Sequence, residues 1–408
     1  MQGGGTTDLR DTDMSRHLKR IKQFQRAMVE QGMGAALLFY SRDIFYYAGI
    51  AQPAFLAIFP DDYRLFVRSG YPYAIQTAGI EASHITEERR LDFIYQEYFS
   101  YLWNKTLGIE LDLLPAKQYL EYHALFQGFE IVDASPLILA QRAVKSDYEV
   151  EQIRRACRIV QAGQKTVQEN LRPGISELEL SAMIENSHRL AGHEGGIFLR
   201  HPDLPLGMGP ISSGSNLRDF TGIVYSISGI GLSPALPIGP SNRIIDEGDQ
   251  VVVDIPSMVN GYHADQSRTY IAGKARPRVR GMYADLREIS DYVIDSIRPG
   301  MGCDQVYDLA MEKAAEMRVQ DQFLRFTGDS RCRLIGHGVG IEVNEPPVLI
   351  ANNRAIIPDN CVLAIEMHML DKQAGVVKIE DTVLISSAGN EILTKASRNL
   401  IETAVASY

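Results

Sequence analysis

The chain has 408 residues, with 51 acidic against 41 basic side chains and a formal charge of -10. That length exceeds one ordinary core, so two domains are expected, each able to bury a stable interior without a metal or disulfide. The acidic balance argues against nucleic acid as a partner, because a phosphate-tracking surface needs clustered Lys and Arg, and no apolar run reaches the roughly 18 residues of a membrane span. The N-terminus, MQGGGTTDLRDTDMSRH, lacks the charged and then apolar layout of a secretory signal, so a soluble, cytoplasmic protein acting on small molecules is expected.

In chain order, MQGGGTT reads as a mobile leader. Leu18, Ile21, Phe24 and Met28 then fall at helical spacing in a helix predicted over 14–31, which Gly32 to Gly34 end before a buried strand over 35–40. AFLAIFPDDYRLFVRS reads as a hairpin about Pro60, Asp61 and Asp62, and 106–111 and 130–133 read as further strands with helix between them. Residues 8–142 thus form an α/β domain. Its histidines His17, His84 and His123 stand alone, without partners at ligand spacing, and read as structural.

A linker ending near Lys145 opens a second domain, 143–408. Ser146 or Asp147 caps a helix whose Val150, Ile153, Cys157 and Val160 face a core. LRPGISELEL then breaks at Pro-Gly and starts a helix to about Leu190; the order recurs as a helix through Ile297, IRPGMGCDQVYDL and a helix to about Met317. Each helix pair precedes a β-patterned hairpin, so the domain reads as two related halves. Cys157, Cys303, Cys332 and Cys361 form no CxxC pair and read as buried small hydrophobes.

The chemistry lies in those hairpins. In QVVVDIPSMVNGYHADQSRTYIAG, a turn at Asn260-Gly261 pairs Val259 with Tyr262 and Asp254 with Ser267, which sets Asp254 and Asp265 on one sheet face as diagonal neighbours. In CVLAIEMHMLDKQAGVVKIEDTVLIS, a loop centred on Gln373 puts Glu366 directly opposite Glu380. Such carboxylate pairs repel unless a cation lies between them, and VVVD and LAIE set each acid inside an apolar run. IGHGVGIEVNEPP adds His337, fenced by Gly336, Gly338 and Gly340, whose lack of side chains permits close backbone approach and unusual dihedrals. Four carboxylates and one imidazole match the needs of two divalent ions about 3.5–4 Å apart that hold and acidify a water.

An Asp, a second Asp eleven positions later, GHGVG, then IE and KIEDTVL together resemble the pita-bread superfamily of prolidases, Xaa-Pro aminopeptidases, methionine aminopeptidases and creatinase, over nearly the whole chain. The resemblance implies an α+β fold: a C-terminal pita-bread domain preceded by a smaller α/β creatinase-type domain. It implies that Asp254 chelates one metal, Asp265 and Glu380 bridge, and His337 with Glu366 hold the other. It further implies manganese, cobalt, zinc or iron as the metal, and a homodimer. The peptidases carry a further histidine where this chain has Asn344, and another shortly before the segment equivalent to 240–243; between His201 and His263 this chain has none. Asn344 retains an amide donor for the substrate.

Three other residues are candidates for catalysis or substrate binding. His263 and His368 stand two positions from Asp265 and Glu366, so period two would turn both toward the metal cleft. Arg268 matches an arginine common after the second Asp and would pair a bridging carboxylate. The leading expectation is a dinuclear metal-dependent hydrolase that cleaves a C–N bond, with Glu366 as proton shuttle and a small peptide with proline second as substrate. A non-peptidase member, creatinase-like hydrolase or lyase, is the alternative. A binding protein with decayed catalysis is the third reading, against which the intact ligand set counts.

Overall fold

The computed structural model describes residues 7–201, 206–221, 226–328 and 330–403. Residues 1–6 of the expected leader lie outside the described residues. The chain divides into two compact units, 1–142 and 143–408.

The first unit is a six-stranded mixed sheet in the order Ile85–Glu87, Tyr63–Val67, Ala54–Ile58, Ala35–Leu38, Thr106–Ile109, Glu130–Asp133. The hairpin about Pro60 pairs Ile58 with Tyr63. The first helix, Thr7–Glu30, begins earlier than its apolar stripe suggests. The first strand ends at Leu38 rather than at residue 40, because the fully buried Glu110 carboxylate accepts the backbone N–H groups of Phe39 and Tyr40 that a longer strand would give to its neighbour. A short helix, Ser41–Ala48, follows, and the ion pair of its buried Asp43 with Arg142 is a long-range contact that local periodicity cannot reveal.

In the second unit Ser146 caps the helix Asp147–Asn170, its N–H donating to the Glu149 carboxylate, and Ser176 caps Glu177–Leu190 through the Glu179 N–H. These are capping boxes that satisfy the orphan donors of a first turn. A second helix pair, Pro277–Ser296 and Cys303–Glu316, follows. The nine-stranded sheet runs Glu345–Ile350, Leu334–Gly338, Cys361–Asp371, Gly375–Ile385, Ser267–Ile271, Gln250–Asp254, Ile211–Ser213, with Glu391–Ile392 also pairing Gly375–Ile385 and Ile401–Glu402 also pairing Ser267–Ile271. The two halves meet where Ser267 pairs Glu380.

Two-residue alternation divides this sheet into a core face and a polar face. Leu363, Ile365, Met367 and Met369 on one strand, and Val377, Ile379 and Val383 on the next, join the apolar core formed with the helices Pro277–Ser296 and Cys303–Glu316. Glu366, Lys378 and Glu380 are therefore turned to the other face. All four cysteines are buried thiols outside any disulfide.

Candidate metal centre

The register places the acids in one row. Asp254 pairs Ser267, Ser267 pairs Glu380, and Glu380 pairs Glu366. Directly opposed residues share a face, so three strands deliver three carboxylates to one place. His337 pairs Ala364 on the neighbouring strand, diagonal to Glu366, and its Nε2 lies 3.8 Å from Glu366 Oε1 and 4.0 Å from Glu380 Oε1. The Nδ1 of His337 faces its neighbour's carbonyl, Gly338 O, at 3.1 Å. A carbonyl only accepts, so Nδ1 donates to it, which leaves Nε2 as the ring nitrogen that faces the acids.

Asp265 lies outside the regular strands and is held instead by Thr382, whose Oγ1 accepts from Asp265 N–H at 3.0 Å and pairs with Asp265 O at 2.8 Å. The glycines around His337 are there for close approach. A Cβ on Gly336 would lie 2.3 Å from Ala364 O, one on Gly338 would lie 2.5 Å from Glu345 O, and one on Gly340 would strike the Glu345 carboxylate. None of the three has positive φ, so the expected unusual dihedrals are not what these glycines supply.

The cluster is short of positive charge. Asp254, Asp265, His337 and Glu380 are all at most 8% exposed. Burial, then the neighbouring Asp254 charge, raises the Asp265 carboxyl well above the usual range, and burial followed by Asp265 does the same to Glu380. Asp265 Oδ1 and Glu380 Oε2 are buried without any hydrogen-bond donor. Among the described residues, one ligand atom each from Asp265, His337 and Glu380 lies within 4.8 Å of the others. Orphaned carboxylate oxygens beside an imidazole nitrogen fit a divalent cation, and these three residues would hold it.

Asp254 and Glu366 are circumstanced differently, because the Lys378 ammonium stands between them. Its Nζ lies 2.5 Å from Asp254 Oδ2, 2.7 Å from Glu366 Oε2 and 3.4 Å from Glu380 Oε2, and it donates to Ser226 Oγ at 2.5 Å. Burial opposes the charge on Lys378, but Asp254, Glu366 and Glu380 outweigh it and hold its pKa well above the ordinary lysine value. Burial pushes Glu366 upward and Lys378 pulls it further down, so its carboxyl ends below the usual range. Sequence reasoning missed Lys378, although the period-two step applied to His368 reaches it: Lys378 pairs His368 and stands two before Glu380. Ser226 comes from the Gly- and Ser-rich stretch that lacks histidine.

The remaining candidates are held as follows. His263 does not line the cluster: its Nδ1 lies 3.2 Å from Gly340 O and its Nε2 accepts the Phe198 N–H at 3.1 Å. Period two fails there because His263 belongs to a separate two-stranded hairpin, and the chain leaves it before Asp265. His368 shares the face of Glu366, but its Nε2 donates to Arg325 O at 3.0 Å and its ring lies 4.7 Å from that of Phe326. Burial and then Lys378 lower its pKa to about 4, which keeps it neutral. Arg268 pairs Asp381 at 2.5 Å rather than a bridging carboxylate, and reaches Glu380 only through its carbonyl, at 2.6 Å. Asn344 is exposed, immediately before the Glu345–Ile350 strand.

A two-halved α+β unit carrying a buried carboxylate–imidazole cluster defines a metal-dependent hydrolase. The comparisons with known proteins give the family: residues 151–387 match the metallopeptidase family M24 model and residues 20–144 the creatinase/prolidase N-terminal domain, and the chain belongs to family M24, within the pita-bread superfamily. A protein named Xaa-Pro dipeptidase from Pyrococcus furiosus is 25% identical over 94% of this chain and 99% of its own length. The crystal structure of the prolidase from Pyrococcus horikoshii OT3 superposes with a TM-score of 0.76 at 25% identity, covering 94% of this chain and 100% of that one. That of an X-Pro aminopeptidase from Thermotoga maritima gives 0.75 at 22% identity, covering 94% and 99%, and shows the shared fold.

Proposed function

We propose that this metal-dependent peptidase hydrolyses short peptides with proline in the second position. The observation that carries the reading is the convergence of Asp265, His337 and Glu380 around orphaned carboxylate oxygens, in a chain whose relatives over almost its full length are named Xaa-Pro dipeptidases. A divalent ion there supplies Lewis acidity and lowers the pKa of the attacking water; manganese, cobalt, zinc and iron all suit such ligands.

Glu366 is the proton carrier. It is the most exposed of the four acids, at 12% of its side chain, and is ionised. It takes a proton from water as the water oxygen bonds to the scissile carbonyl carbon, and returns it to the leaving amine nitrogen as the C–N bond breaks. Asn344, open to solvent, is the amide donor to the substrate in place of an imidazole. A non-peptidase reaction is not favoured, since the relatives spanning most of the chain are named as peptidases. Among the described residues no helix is long and apolar enough to cross a membrane, and the family resemblance supports a homodimer, which sedimentation would test.

The decisive assay is hydrolysis of Xaa-Pro dipeptides and of longer Xaa-Pro peptides with added manganese or cobalt. Turnover abolished by Asp265→Asn is expected. A folded, metal-loaded protein that leaves both peptide classes intact would overturn the reading.

A further inference from the structure

We propose that the Lys378 ammonium is the second cation of this centre, so that the chain holds a single divalent ion, on Asp265, His337 and Glu380, with Asp254 and Glu366 neutralised by lysine. The inference rests on the metal-peptidase reading and concerns the number of ions.

The lysine is built in as a ligand is. An ammonium has three N–H donors, and Asp254 Oδ2, Glu366 Oε2 and Ser226 Oγ accept all three within 2.7 Å. Ser226 Oγ in turn donates to Glu366 Oε2 at 2.9 Å, which closes the ring. The backbone of Lys378 is pinned on both sides by Thr269 Oγ1, which accepts from its N–H and donates to its carbonyl. Its side chain is 1% exposed, so its charge is balanced by the surrounding carboxylates and not by solvent.

The two groups of ligands differ in the way this division requires. Asp265 Oδ1 and Glu380 Oε2 make no hydrogen bond, Glu380 Oε2 having only the lysine's charge at 3.4 Å; the Asp254 and Glu366 oxygens nearest the lysine lie at hydrogen-bond distance from it. A second divalent ion on Asp254 and Glu366 would have to share their oxygens with an ammonium at contact distance, where like charges in a dry site repel strongly. With one divalent ion and one ammonium, three positive charges face four carboxylates.

The test is stoichiometry on the full chain, stripped with chelator and titrated with manganese by calorimetry, with elemental analysis after dialysis and manganese paramagnetic resonance. Wild type is expected to saturate at one equivalent per chain with the spectrum of an isolated ion. Lys378→Met, which frees Asp254 and Glu366, is expected to take two equivalents with a spin-coupled spectrum, and Lys378→Arg, which keeps the charge, one. Two coupled equivalents in wild type would overturn the inference while leaving the peptidase reading intact, and so would Lys378→Met remaining at one. Should Lys378→Met fail to fold, wild type and Lys378→Arg still decide the count. Absence of hydrolysis with one bound equivalent would sink the peptidase reading alone.

Discussion

Arg268 tests whether the sheet's opposite face holds the metal ligands in register. It is fully buried. It pairs Asp381 at 2.5 Å and donates to Ser267 O at 2.9 Å, Glu380 O at 2.6 Å and Ser397 O at 2.8 Å. Arg268→Met removes the charge partner of a carboxylate that is itself 1% exposed, and breaking a buried pair costs about 3–5 kcal/mol. Arg398 and Thr394 still contact Asp381, which favours the lower end, whereas the four carbonyls losing a donor, Ala396 O among them, favour the upper. In a unit of this size, that predicts a melting temperature lower by about 6–20 °C.

Calorimetry is the suitable assay, because the chain's single tryptophan, Trp103, is 93% exposed and reports little of unfolding. The double variant Arg268→Met/Asp381→Leu should recover only part of the loss, since it removes the orphaned carboxylate but also the partner of Arg398 and Thr394. A shift below about 2 °C for the single variant, against the interval expected for a unit of this length, would show that Arg268 is not holding the strand.

Thr382→Val removes both side-chain hydrogen bonds to the Asp265 backbone and should weaken manganese binding about 10–100-fold with little change in far-ultraviolet circular dichroism; unaltered affinity would refute a positioning role. Asp265→Asn should raise the melting temperature of metal-free protein, because it relieves buried like-charge repulsion, yet lose the further rise that manganese gives wild type. Burial, then Arg20 and Arg16, lowers the His17 pKa to about 3, so the folded first unit binds fewer protons than the unfolded chain between that value and about 6.5. Its stability is full above the unfolded pKa and falls as pH drops through this window, by at most about 1.4 kcal/mol per pH unit from this group. Calorimetric unfolding at stepped pH should show that slope, and His17→Asn should flatten it.

The sequence by itself determined the rungs of the two hairpins. Asn260-Gly261 fixes Val259 opposite Tyr262, and the loop about Gln373 fixes Glu366 opposite Glu380, because turn chemistry and two-residue alternation act over a few positions and need nothing from elsewhere in the chain. The same local reasoning misplaced His263, since it assumes an unbroken strand where the chain changes sheets. Which atoms meet across hairpins was decided by tertiary structure. Ser267 against Glu380 joins the halves, Thr382 captures Asp265 from 117 residues away, and Ser226 completes the setting of Lys378. An acid in an apolar run declares that it needs a positive partner; only the fold, by setting the Lys378 ammonium 2.5 Å from Asp254, determines that for two of the four acids this partner is a side chain of the protein itself.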